Sequence, residues 1–311
     1  MKIIGIDIRH CKTSGLDSRV FEASLNHLIA NLSDAGYQVR LIDEINYNSL
    51  KDLDALIIGR IANDSVDFSE DEVKAIVEWF RQGGKLLWIC ADSQGSFTFN
   101  SDKANVILEA ISSHFRFDHV IVGDLENYID VNYMVIANRS VYGFNVNGTI
   151  GKIADDVDYV LFNRPVIIDG YKDDNYVRVE DVLGDHVYWI CRTGPNGVII
   201  DYYNIGSLAY PSGYVGRLYL AVAEEIPVTS DLFTIVYSRV MVTSGSLLGN
   251  MTIMSEKIDG LNLQGPTFVK NSFKWGLEIK AEPNITGYII VGIITIISVV
   301  GIAAHAARRK I

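Results

Sequence analysis

The sequence predicts an α/β protein: a mostly parallel sheet, antiparallel additions in the second half, and one C-terminal transmembrane helix. Three observations predict it. Short β-branched apolar runs with little alternation recur through the first 125 residues, as strands buried on both faces do. Amphipathic helical stretches separate them, and strand–helix alternation of this kind builds a parallel sheet covered on both sides. Near the end, the stretch "GYIIVGIITIISVVGIAA", residues 287–304, carries no charge.

Taken in order, residues 2–8, "KIIGIDI", form the first strand. "RVFEASLNHLIANLSDAG" places Val20, Phe21, Leu25, Leu28, Ile29 and Leu32 at helical spacing and closes at Gly36. "YQVRLID" and "DALIIG" are the second and third strands. Ser69 and Glu72 make a capping box, flanked by Phe68 and Val73 as a hydrophobic staple, so a helix runs from there to Gly83 and Gly84. "KLLWICA" is the fourth strand, "DKANVILEAISSHF" a helix and "DHVIVGD" a fifth strand. The expected sheet is Rossmann- or flavodoxin-like. Beyond residue 125 the pattern shifts to short strands with turns, among them "GPNG" at 194–197. In this stretch "GYVGRLYLAVAEEI" reads as helical and "LFTIVYSRVMVTSG" as a long strand. "GPTFVKNSFKWGLEIKAE" reads as a closing helix with Val269, Phe273 and Leu277 on one side. The expected organisation is thus an α/β core over 1–125, its continuation over 126–282, a linker over 283–286, a membrane helix over 287–307 and a basic tail over 308–311.

About 20 apolar residues in a helix span a bilayer core. The run that opens at Gly287 and closes at Ala307 meets that length, with Tyr288 at the interface and Arg308, Arg309 and Lys310 following. Positive charge prefers the cytoplasmic side, so the expected topology is single-pass in the cell membrane, with the domain outside and the C-terminus inside. Met1 leads straight into a strand rather than a signal peptide, which keeps a tail-anchored cytoplasmic arrangement open. Six N-x-[ST] sequons, at Asn31, Asn63, Asn138, Asn147, Asn250 and Asn284, favour a glycosylated outer face. A net charge of −11, with no basic cluster before the last residues, argues against nucleic acid as a partner. Three cysteines, Cys11, Cys90 and Cys191, are too few for a disulfide scaffold, although one pair, such as Cys11 with Cys90, is left open. No Cys/His spacing fits zinc, and no motif calls for a cofactor. The acidic groups Asp155, Asp156 and Asp158, and Asp173 with Asp174, lack EF-hand spacing and read as solvated turns rather than a calcium site.

The run "DALIIGRIANDSVDFSEDEVKAIVEWFRQGGKLLWICAD", residues 54–92, resembles the class I glutamine amidotransferase-like fold. The resemblance is strongest to its membrane-associated offshoots, which accompany ABC-type transporters and cell-envelope proteins. It covers roughly the first 125 residues. Catalytic members of that fold carry a nucleophile in a G-x-C-x-G elbow and a late His-x-Glu pair. Cys90 stands at the nucleophile position, but Trp88 and Asp92 replace both glycines that such a strained turn needs. No His-x-Glu occurs, and His186 would have to serve in another geometry. Cys90 therefore reads as a buried structural thiol, with catalysis as the competing reading.

In open α/β sheets ligands bind beyond the carboxyl ends of the strands. Here those ends place Asp7, Arg9, Arg60, Asp64, Asp92, Ser93 and Gln94 as candidates for a polar ligand cleft, against the alternative of a hydrogen-bonded loop network. Tyrosines are frequent late in the chain, at Tyr202, Tyr203, Tyr210, Tyr214 and Tyr219, and carry little weight alone. The expected function is a non-catalytic binding or scaffolding subunit of a cell-envelope complex, anchored in the bilayer beside other envelope proteins. The rivals are a cysteine-dependent amidotransferase-like hydrolase and a tail-anchored cytoplasmic adaptor.

Overall fold

A computed structural model of the chain describes residues 1–11, 18–61, 66–91, 101–229, 234–278 and 280–284. Its first part follows the expected order: β1 (Ile3–Asp7), α1 (Ser18–Asp34), β2 (Gln38–Ile42), α2 (Tyr47–Leu50), β3 (Ala55–Ile58), α3 (Glu70–Phe80), β4 (Leu86–Ala91) and α4 (Ser101–Ala110). Phe21, Leu25, Leu28 and Leu32 form the buried stripe of α1, and Gly36 follows at φ +87°, where a side chain would be strained. The capping box of α3 is formed as read. The Ser69 side chain accepts from the Glu72 backbone, and the Glu72 carboxylate accepts from the Ser69 backbone. Phe68 and Val73 both pack on the core.

Beyond α4 most regular elements among the described residues are strands. Chain order gives β5 (Phe115–Asp124), β6 (Tyr128–Ile129), β7 (Val131–Asn138), β8 (Tyr159–Asn163), β9 (Val166–Lys172) and β10 (Asn175–Val177). Then come β11 (Val187–Arg192), β12 (Gly197–Ile200), β13 (Val215–Gly216), β14 (Tyr219–Thr229), β15 (Thr234–Ser244), β16 (Lys257–Ile258) and β17 (Leu261–Asn262). The helix α5 (Gly265–Gly276) and strand β18 (Ala281–Pro283) close the described part.

The large sheet runs β11-β14-β15-β4-β3-β1-β2, with β18 paired to β15. The five strands from β15 to β2 are mutually parallel, while β14, β11 and β18 are antiparallel additions. Read from the other edge, the parallel strands follow the flavodoxin-like order 2-1-3-4-5, with β15 as the fifth. Helices α1 and α5 touch each other, as do α3 and α4, so the two pairs cover opposite faces. Trp88 of β4 packs on Phe268 and Phe273 of α5, at centroid distances of 6.4 and 5.4 Å. Val269 and Phe273 are fully buried and Leu277 nearly so, as their spacing implies.

Four expectations are corrected. First, "DHVIVGD" is not the fifth parallel strand: β5 lies in a separate antiparallel sheet, β10-β9-β5-β12-β13. An apolar run buried on both faces reads alike in either setting, and periodicity does not name the partner strand. Second, "GYVGRLYLAVAEEI" is not helical; its core is the long strand β14. Leu, Ala and Glu favour helix, but pairing with β11 and β15 and burial on both faces override that preference. Third, the later strands do not all extend the main sheet, since β6, β7 and β8 form a sheet of their own and β16 pairs only with β17. Fourth, the expected transmembrane helix is not part of the described fold. No helix among the described residues is long and apolar enough to cross a membrane, and α1, with 17 residues, is amphipathic. The segment 287–307 that carried the expectation lies outside the described residues.

Candidate functional site

In a 2-1-3-4-5 sheet the topological switch point lies between β1 and β3. A buried polar cluster lies there. Asp7, the last residue of β1, is fully buried. Its Oδ1 accepts from the backbone N–H groups of Arg9 and His10 (3.0 and 3.2 Å), and its Oδ2 meets His10 Nδ1 at 3.0 Å. The turn after β1 thus folds back on its own carboxylate and fixes the imidazole.

His10 is also fully buried and stacks on Phe68, with centroids 3.9 Å apart and planes inclined by 18°. Its Nε2 faces Glu72 Oε1 at 3.7 Å, too far for a hydrogen bond, and neither atom has another hydrogen-bond partner. Glu72 therefore has two tasks. Its Oε2 accepts from Ser69 N and Oγ, both at 2.9 Å, to cap α3, while Oε1 turns toward His10 and Arg9 Nη1 (3.6 Å). Burial works to raise its pKa. Hydrogen bonds from Ser69 and the nearby His10 and Arg9 outweigh that and hold the carboxyl below its ordinary value.

Cys11 completes the turn. Burial, then the Asp7 charge, push its thiol pKa well up, against the backbone N–H groups of Arg60 and Gly59 that bond the sulfur. A thiol in that state is a poor nucleophile. Arg60, at the end of β3, is buried. The loop after β15 covers this edge, with Leu247 N bonded to Gly59 O and Gly245 N to Ala91 O. A Cβ at Gly249 would sit 3.9 Å from Arg60 Nε, so the loop passes close over the guanidinium. Beside it, a cavity of about 530 Å³ opens between α1 and residues 249–257, lined by Ser24, His27, Asn250, Thr252 and Glu256 among others.

Of the candidate cleft residues, Asp7, Arg9 and Arg60 come together at this edge. Asp7 organises the turn instead of facing a cleft, while the Arg9 side chain is 45% exposed. Asp64, Asp92, Ser93 and Gln94 lie outside the described residues, as does Asn63. His10 escaped the sequence reading, which placed Phe68 only as the staple of α3 and Cys11 only as a possible disulfide partner. The run "RHC" after β1 was the one local signal for His10, and spacing alone does not pair it with a carboxylate 62 residues away.

Cys90 is fully buried at the penultimate position of β4. Its sulfur lies 3.1 Å from Thr243 Oγ1 on the neighbouring strand β15, and that oxygen also accepts from Trp88 Nε1 at 3.0 Å. His186 cannot serve it. His186 bonds Glu225 of β14, which pairs with Arg239, whereas Cys90 pairs with Thr243. Four residues of strand separate the two levels, about 13 Å. All three cysteines are buried as thiols, so the Cys11–Cys90 bridge is not formed. Among the described residues no group of three His, Cys, Asp or Glu side chains is placed to hold a metal ion. Asp156, Asp173 and Asp174 occupy turn positions at φ +58°, +50° and +60°.

No protein-family model matches the chain, and no curated protein matches it. Among solved structures it is similar to a ThuA-like protein from Bacteroides uniformis, at 8% identity over 88% of this chain and 90% of that one, with a TM-score of 0.45. A ThuA-like protein from Parabacteroides merdae is similar at 8% identity over 89% and 90%, with a TM-score of 0.43. The reduced flavodoxin of Megasphaera elsdenii is similar at 15% identity over 34% of this chain and 77% of that one, with a TM-score of 0.24.

Proposed function

We propose that the chain is a non-catalytic binding domain whose ligand seat is the carboxyl edge of the parallel sheet, around Arg9, His10, Arg60 and Glu72. The observation that carries the reading is the state of Cys90. The residue that would be the nucleophile is sealed inside the sheet against Thr243, with His186 at the far end of the strands. The imidazole nearest the edge is equally unsuited to proton transfer with a solvent-borne substrate, because it is fully buried with both nitrogens turned toward carboxylates. Among the described residues the Arg9 side chain is accessible at this switch point, which suits recognition of an acidic group. A scaffolding role beside other cell-envelope proteins, which the resemblance of residues 54–92 implies, belongs to the same proposal.

Iodoacetamide labelling of the folded protein at neutral pH tests it. The expected result is slow labelling of Cys90 that accelerates only on unfolding, and a Cys90→Ala cost of about 1 kcal/mol, as a small cavity gives. Rapid labelling in the folded state, with an activity abolished by Cys90→Ala at unchanged melting temperature, would establish the hydrolase instead.

A further inference from the structure

The opposite, amino edge of the large sheet carries a second cluster. Consecutive residues of β14, Glu224 and Glu225, project to opposite faces, and both are 3% exposed. Glu225 is surrounded by cations: Arg239, Lys280 and His186. Glu224 differs. Among the described residues it pairs with no lysine or arginine; its carboxylate accepts from Ser113 Oγ and His114 N, both at 3.0 Å, and from His114 Nδ1 at 2.5 Å.

His114 follows the C-terminal turn of α4, which reverses through Ser112 at φ +62°. Its side chain is 51% exposed. With Nδ1 committed to Glu224, Nε2 is its free polar atom, and no described side chain bonds it. The Glu224 hydrogen bond holds the imidazole pKa above its ordinary value, against burial and the neighbouring Arg116 and Lys172 charges, which favours the cationic ring. Beside it lies a cavity of about 300 Å³ whose walls are largely apolar, with Phe80, Ile111, Ile226 and Val228 among them, and whose polar rim includes Arg81 and Ser112. The Arg81 side chain makes no ion pair or hydrogen bond with any described residue.

We propose that this cavity binds a small carboxylic acid with a short apolar tail. Arg81, Ser112 and His114 Nε2–H hold the carboxylate, and the tail lies against Phe80, Ile111, Ile226 and Val228. A few convergent polar groups over apolar walls are the usual make-up of a small-ligand site, and this volume lies at the small end of the usual range. Arg81, which has no ion-pair partner among the described residues, supplies the cation, and the apolar walls reward a tail that neither acetate nor phosphate carries. The two helix C-termini here, of α3 and α4, also attract cations, but only fractionally, and serving a helix end requires no apolar-walled cavity.

Calorimetric titration of the full chain at pH 7 with hexanoate, acetate and inorganic phosphate tests the assignment. Hexanoate should bind saturably at one site, and acetate and phosphate about tenfold or more weakly. Arg81→Gln and His114→Gln should each weaken hexanoate about tenfold or more, as loss of a charge-assisted hydrogen bond does. Arg81 is exposed at a helix end, so its variant retains the fold even if the His114 variant does not. Absence of saturable hexanoate binding, acetate matching hexanoate, or wild-type affinity in a folded Arg81→Gln protein would each overturn the proposal. Because this edge is remote from Cys90, the labelling result there is independent of the outcome here.

Discussion

Replacing Glu225 by glutamine removes one charge from a carboxylate that five side-chain hydrogen-bond contacts surround. Glu225 Oε1 accepts from Arg239 Nε and Nη2 at 3.0 and 2.7 Å. Its Oε2 accepts from Lys280 Nζ at 2.6 Å and the Tyr188 hydroxyl at 3.0 Å, and meets His186 Nδ1 at 3.1 Å. Burial by itself would raise the carboxyl pKa. Hydrogen bonds from Lys280, His186 and Arg239 reverse that and bring it from 4.5 to about 2. At about 1.36 kcal/mol per pH unit, the drop corresponds to about 3 kcal/mol. The folded value lies below the unfolded one, so this stability is fully present above pH 4.5 and is lost as pH falls toward 2. Protonated glutamate and glutamine are both neutral and nearly isosteric. Urea unfolding of wild type and Glu225→Gln should therefore show a gap of about 3 kcal/mol at pH 7 that narrows steadily below pH 4. A gap of the same size at pH 3, or none at pH 7, would refute the reasoning.

Three other outcomes follow from the geometry. Ser69→Ala should cost about 1 kcal/mol in urea unfolding, because the side chain both caps α3 and bonds the Glu72 carboxylate; an unchanged midpoint would show the cap to be idle. Burial, and then the charge of Asp118, push the Asp169 carboxyl up to about 9. Its folded pKa exceeds the unfolded 3.8, so its contribution is fully present below pH 3.8 and lost as pH rises toward 9. Asp169→Asn should accordingly raise the melting temperature at pH 8 and flatten the decline between pH 4 and 9, and equal slopes would contradict this. Among the described sequons, Asn147 and Asn250 are exposed. Asn31 lies within α1, and the Asn138 side chain is spent on Ser140 and Asn127. Peptide mass spectrometry of protein made in a glycosylating host should find glycan on the first two, and modification confined to Asn31 or Asn138 would be the contrary result.

The parallel half of the sheet was legible because its signals are local. The Ser69–Glu72 box, the Gly36 stop and the buried runs of β1, β3 and β4 each sit within a few residues of chain. Strand partners were not legible, because pairing is decided at a distance. Nothing in "HVIVGD" distinguishes a seat beside β4 from one beside β9, and nothing in "LYLAVAEEI" shows that both glutamates will find buried cations or histidines. The site divided in the same way. Asp7, Arg9 and Arg60 follow from strand ends and the switch-point rule. The joining of His10 to Glu72 depends on where α3 lands over β1, which no spacing encodes. Cys90 was read correctly as buried because two-sided burial of β4 was visible in "KLLWI", although its bond to Thr243 was not.

The provenance of β15 bears on how the chain folds. The strand that lies beside β4 arrives roughly 140 residues after β4 ends. At about 5–20 residues per second, a ribosome needs on the order of ten seconds to supply it. Until then the nascent chain holds a β4 edge whose every residue is destined for the interior, the kind of open apolar edge that recruits other chains. Closing it is a long-range event with a large loop entropy, so the rate-limiting step should be the docking of β14 and β15 onto a preformed β2-β1-β3-β4 unit. A fragment ending at residue 125 would keep that edge uncovered, so it should aggregate where the full chain does not.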